Sequence, residues 1–160
     1  MSVYILDTGI LVGYIRGAGY AEYVEERYLV SQPPNITIIS IATVGEVLSL
    51  ALQLGWGERK RELMNHLLGA FPSISIDDDR ILERYAEIDA FSQGKHPSRN
   101  LPKGMTSRNM SKNDVWIAAT GSVLGATLLT IDQDFDHLDS LFLEVVYIDQ
   151  KLKREDANAE

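Results

Sequence analysis

Five acidic residues stand apart because of what surrounds them. Asp7 closes the apolar run Val3-Tyr4-Ile5-Leu6. Glu46 is the one charge between Val44 and Leu54. Asp114 opens the apolar run from Val115 to Leu124, and Asp132 and Asp134 close a second run, Ala126 to Ile131. A carboxylate buried without a partner costs several kcal/mol or is held protonated. Lys112 is the nearest basic residue in sequence to any of the five. Two carboxylates about 5 Å apart repel by roughly 3 kcal/mol at an effective dielectric of 20. If Asp7, Glu46, Asp114 and Asp132 converge, they need a counter-charge. A hard divalent cation supplies one: Mg2+ or Mn2+ takes carboxylate oxygens, keeps several waters and leaves room for a phosphate. That combination suits phosphodiester hydrolysis, with the metal acidifying a bound water and steadying charge on phosphorus.

Each acid also has a local reading. Asp7 before Thr8-Gly9 fits a turn. Asp114, three residues after Ser111, fits an S-x-x-D capping box. Asp132 and Asp134 fit the cap of a following turn. Which of Asp132 and Asp134 is the main metal ligand stays open at this stage, and Glu46 is the hardest of the set to dismiss.

The elements that would position these acids alternate. Short apolar runs at Val3–Leu6, Ile36–Ile39, Ser73–Ile76, Ala126–Ile131 and Val145–Ile148 read as strands. Between them lie a helical turn or two at Ile10–Ile15 and helical spacing over Tyr20–Val30. Further helices are predicted from Ser40 or Thr43 to about Leu54, over Glu58–Leu68, over Arg80–Ser92, and from Ser111 to a stop at Gly125. The helix ending near Leu54 is apolar almost all round, which predicts burial. Residues 94–111 form a long loop with Pro97 and Pro102, and His137–Leu141 reads as a loop or short turn. Residues 1–150 are expected to form one domain, followed by a loose charged tail over 151–160. Alternating strands and helices predict an α/β fold, a mostly parallel sheet with helices on both faces. Right-handed crossovers put the strand C-terminal ends, and with them Asp7 and Asp132, on one edge, where ligands of such sheets sit.

The chain has 160 residues, no cysteine and a net charge of −8. The length suits a single core. The absence of cysteine rules out thiolate metal sites and fits a cytoplasmic setting. The N-terminus has neither a basic leader nor a membrane-length apolar run. The overall field opposes binding to nucleic acid, so any such contact needs a local basic patch. One exists in sequence: Lys95, Arg99, Lys103, Arg108 and Lys112 fall in a stretch without acids from Ala90 to Asn113. It reads either as a solvated loop or as a basic flap for an RNA backbone leading into Asp114.

Four segments carry a family resemblance: Ile5-Leu6-Asp7-Thr8, Val44-Gly45-Glu46-Val47, Asn113-Asp114-Val115-Trp116-Ile117-Ala118-Ala119, and Leu129-Thr130-Ile131-Asp132-Gln133-Asp134-Phe135. In order and spacing, over residues 3 to 148, they resemble the four acidic motifs of PIN-domain nucleases, and within these the VapC-like ribonuclease toxins of toxin–antitoxin pairs. The resemblance implies a three-layer α/β/α sandwich on a five-stranded parallel sheet of order 3-2-1-4-5. It implies an RNA-cleaving hydrolase using Mg2+ or Mn2+, a homodimer and an antitoxin partner. Its catalytic positions map onto Asp7, Glu46, Asp114 and Asp132, its metal positions onto Asp7, Asp114, Asp132 and Asp134, and its supporting hydroxyls onto Thr8 and Thr130. The chain departs from the motif at Gly9, where the family usually has Asn, Ser or Cys, and its 94–111 loop is longer than in a minimal member.

Rival classes fit less well. A haloacid-dehalogenase-type phosphatase needs a second Asp where Gly9 stands. A receiver domain leaves the late acid pair unexplained. His66, His96 and His137 lack the spacing of a zinc site. The remaining alternative is a catalytically silent PIN-fold scaffold or protein-binding module whose acids are structural. A partner surface is expected where the helices at 58–68 and 80–91 and the segment 10–30 present Tyr20, Tyr23, Tyr28 and Trp56.

Overall fold

The computed structural model describes residues 1–159. The chain runs β1 (Val3–Leu6), α1 (Thr8–Arg16), α2 (Gly19–Tyr28), β2 (Ile36–Ser40), α3 (Ile41–Gln53), α4 (Glu58–Ala70), β3 (Ser73–Ile74), α5 (Asp79–Ser92), α6 (Lys112–Val123), β4 (Thr127–Thr130) and β5 (Val145–Tyr147). Two 3-10 segments, Gln133–Leu138 and Arg154–Asn158, complete it. The five strands pair in parallel in the order β3-β2-β1-β4-β5. The α/β sandwich and strand order expected from the sequence are therefore present.

The strands show why helices cover both faces. Successive side chains of a strand point to opposite sides. Leu6, Ile39 and Leu129 enter one core with Ile10, Leu11 and Val47, while their neighbours Ile5, Ile38 and Leu128 enter the other with Ile88, Ile117 and Phe135. These short central strands are apolar on both sides, as parallel strands between helix layers must be. The ends of α6 match the sequence. The Ser111 hydroxyl accepts from the Asp114 N–H at 3.2 Å, and after Leu124 the chain turns through Gly125 at φ +65°, a left-handed geometry that suits glycine.

Three expectations are corrected. Helix α3 is not buried all round. Thr43, Val47 and Ala51 face the protein, but Ile41, Leu48 and Leu52 are 41%, 44% and 73% exposed. An all-apolar helix is covered only where another element packs on it, and among the described residues none covers that stripe. The tail is not loose over residues 151–159. Ala157 is buried, Asp156 accepts from the Lys153 N–H at 2.9 Å, and Arg154 pairs with Glu26 of α2 at 3.2 Å. The local charges form a cap and an ion pair, while one small apolar side chain anchors the turn. Finally, the aromatic partner surface does not form as expected. Tyr23 and Trp56 are core residues, Tyr28 packs edge-on against Tyr4 and Tyr23, and α4 and α5 contribute to different cores, on opposite faces of the sheet.

Candidate active site

Asp7 directly follows β1 and extends its ladder, its N–H donating to the Leu129 carbonyl at 3.0 Å. It caps α1, accepting from the Thr8 N–H at 2.8 Å, and is only 6% exposed. Thr130, the last residue of β4, is fully buried. Its hydroxyl donates to Asp7 Oδ2 at 2.6 Å and accepts from the Asp132 N–H at 2.9 Å. One side chain thus ties the ends of two adjacent strands. Asp132 caps the 3-10 segment by accepting from the Asp134 N–H at 2.9 Å. Glu46, on α3, takes the Thr8 hydroxyl at 3.2 Å, and Thr43, a turn earlier on α3, stands 3.4 Å from that hydroxyl. The Asn113 side chain lines the same groove as Glu46 and favours its charged form. Asp114 lies in the first turn of α6.

Burial raises the pKa of Asp7 to about 6, and the charges of Asp132 and Glu46 push the same way against the Thr130 and Thr8 hydrogen bonds. Burial also raises Asp114 to about 6, with Asp7, Asp132 and Asp134 adding repulsion against the Ser111 hydrogen bond. Glu46 is raised by burial and by Asp114, against donors from Thr8 and Asn113. No basic side chain figures among these influences, and the ion pairs Arg80–Asp78, Arg84–Glu87 and Arg154–Glu26 lie elsewhere. So the acids of four separated segments share one electrostatic site, opposed by neutral hydroxyls and amides.

The donor set consists of carboxylate oxygens, which suits a hard divalent cation rather than zinc. Among the described residues no three His, Asp or Glu side chains already form a ligand cluster. The chemistry of the donor set, all carboxylate oxygens, is what fits such a cation. A cavity of about 500 Å3 near Glu25, His66 and Phe71 does not mark this site: it lies at the start of β2, on the opposite edge of the sheet. A groove of about 460 Å3 flanks Glu46 and Asn113.

The basic loop divides. Arg108 reaches the acids, donating to the Asp134 carbonyl at 3.3 Å, and shares a groove with Lys95. Arg99 instead stacks on the Phe142 ring, 4.6 Å from its centroid. Lys103 is exposed on the loop, and Lys112 is exposed at the first position of α6. The sequence does not single out Asn113 as a partner of Glu46, and it offers Thr43 only as a cap. The cap of α3 is in fact Ser40, which accepts from the Ala42 N–H at 3.1 Å. The available signal was Thr43 standing three residues before Glu46, on the same helix face.

The raised carboxylates set a pH dependence. From about pH 4 to 6, the folded chain holds protons on Asp7 and Asp114 that the unfolded chain has released. Their contribution to stability is present at low pH and is lost as the pH rises through 6. His137, lowered to about 4 by burial and by Arg108, acts in the opposite sense over this window. The difference between parent and variant isolates the acids. In EDTA, Asp114→Asn should gain stability relative to the parent as the pH rises from about 4 to 7, measured by urea unfolding. A flat or falling difference would show that burial and the neighbouring acids do not raise Asp114.

The sequence model of the PIN domain matches residues 4–141. No curated protein matches the sequence. Several solved structures share the fold. VapBC2 from Rickettsia felis, bound to a DNA fragment from its promoter, is 21% identical with a TM-score of 0.68, over 92% of this chain and 99% of that one. VapBC-5 from Mycobacterium tuberculosis, a member of the VapBC family of toxin–antitoxin systems, is 18% identical with a TM-score of 0.60, over the same shares. A toxin–antitoxin complex from Klebsiella pneumoniae is 23% identical with a TM-score of 0.60, over 89% of this chain and 95% of that one. With the family match running from β1 past Asp132 and Asp134, and the acids gathered at one sheet edge, the chain belongs to the PIN domain family.

Proposed function

We propose that this protein is a Mg2+- or Mn2+-dependent endoribonuclease, the toxin of a toxin–antitoxin pair. The observation that carries the reading is the convergence of Asp7, Glu46, Asp114 and Asp132 from four segments, with burial and mutual repulsion raising Asp7, Glu46 and Asp114 and no basic side chain opposing it. Asp7, Asp114, Asp132 and Asp134 are the residues to hold the metal. When bound, the ion neutralises the site and supplies an acidified water for phosphodiester hydrolysis. The chain's own part is positioning. Thr130 keeps Asp7 and the backbone of Asp132 in a fixed relation. Thr8 and Asn113 orient the Glu46 carboxylate, leaving it suited to accept a proton at the site. Lys95, Arg99, Lys103, Arg108 and Lys112 are the residues for the RNA backbone. The position of Arg108 beside Asp134 supports this role most directly.

The solved complexes described as toxin–antitoxin pairs support an antitoxin as partner. The uncovered α3 stripe of Ile41, Leu48 and Leu52 supports a second copy of the chain as a further partner. No described helix is long and apolar enough to cross a membrane. The cysteine-free sequence suits action in the cytoplasm.

The protein should cleave single-stranded RNA only with Mg2+ or Mn2+ present. Asp114→Asn should abolish cleavage while keeping the parent's circular dichroism spectrum. Full cleavage by this variant would return the acids to capping and scaffold roles.

Changing Arg99, Lys103 and Arg108 to Glu should weaken RNA binding far more than metal binding. The salt dependence of binding should flatten by about 0.7 of log–log slope for each phosphate that the variant no longer neutralises. An unchanged slope would make the loop an ordinary solvated one.

A further inference from the structure

His137 is not required for capping, ion pairing or any role assigned above, yet it is 1% exposed in the segment that carries Asp132 and Asp134. Its Nε2 lies 2.7 Å from the hydroxyl of Ser92, the last residue of α5, which is also fully buried. The Ser92 hydroxyl also lies 3.3 Å from the Met110 sulfur, so it contacts both the imidazole and the end of the basic loop. The imidazole lies parallel to the Phe91 ring, with centroids 6.1 Å apart. The Ser92 carbonyl accepts from the Arg108 N–H at 2.7 Å, while the Arg108 guanidinium donates to the Asp134 carbonyl at 3.3 Å.

Ser92 therefore touches two segments at once. One is the end of the basic loop, Arg108 to Met110, which leads within four residues to Asp114. The other is the 3-10 turn that follows Asp132. From this juxtaposition we infer that the Ser92–His137 pair is a positioning device, holding the Asp132–Asp134 turn in register with the segment that delivers Asp114. An α5 terminus held by apolar packing alone would leave the turn free to slide. A hydrogen bond between two fully buried groups favours one register, because losing it leaves a buried imidazole nitrogen unsatisfied. Neither residue touches the reacting atoms. They act through the acids, as outer groups around a metal site do. The inference rests on the metal-binding reading above.

The test measures metal binding by thermal melting of the full chain over a Mg2+ series. His137→Phe keeps the ring on Phe91 but loses the hydrogen bond; His137→Gln keeps a side chain that can donate or accept. A merely structural role lowers the melting temperature equally at every Mg2+ concentration. A positioning role moves the Mg2+ concentration at which the melting temperature begins to climb, because the rise follows ln(1 + [L]/Kd). His137→Phe should raise that onset by about tenfold, and His137→Gln should restore it to near the parent value. Should His137→Phe fail to fold, Ser92→Ala carries the same test with the same expected shift. An onset unchanged in His137→Phe or Ser92→Ala, or shifted equally in His137→Gln, would overturn the inference. A parent with no Mg2+-dependent rise would overturn the metal reading itself.

Discussion

Asp7, Glu46, Asp114 and Asp132 are held within reach of one another's charge, and much of the surrounding structure answers to that repulsion. A fold gains nothing by gathering carboxylates, so each must be held by something neutral. Thr130 holds Asp7 and the turn that begins at Asp132. Thr8 holds Glu46, with Asn113 beside it, and Ser111 caps the helix that carries Asp114. These are donors without charge, so they orient the acids without neutralising them. The result is a site that is electrostatically unsatisfied by the protein and suited to a divalent cation.

The parallel sheet makes this possible. Because β1 and β4 are neighbours, Asp7 and Thr130 emerge side by side at the same edge, though 123 residues separate them in sequence. Helices α3 and α6 pack against opposite cores and meet over that edge, which brings Glu46 to Asn113 and Asp114. Such switch points, where connections leave a sheet in opposite directions, are the usual ligand sites of open α/β folds.

Much of this was legible in the sequence, for physical reasons. Apolar runs of four to six residues separated by helical spacing specify strands between helix layers, and an acid at the end of such a run is conspicuous. Gly125 and Ser111 marked the limits of α6 because capping is local chemistry. What depended on distant packing was not legible. The apolar character of α3 said that its surface wants cover, but not that the chain itself leaves Ile41, Leu48 and Leu52 bare. The tail looked loose because its anchor is a single alanine, and composition cannot reveal that Glu26 waits for Arg154. The basic loop looked uniform, yet Arg99 is drawn to Phe142 while Arg108 turns to the acids. His137 lacks the spacing of a zinc ligand and carries no other signal. Its partner Ser92 lies 45 residues away, and no local pattern announces the pair.

The most direct measurement is a crystal of the parent protein grown or soaked with Mn2+ and examined by anomalous scattering. The account predicts a strong peak at the sheet edge, about 2.0 to 2.2 Å from carboxylate oxygens of Asp7 and Asp114 and joined by Asp132 or Asp134. A saturated crystal with no peak there, or with Mn2+ bound only elsewhere, would contradict it. The acids would then be caps and turn formers, and the site would have no metal chemistry to perform.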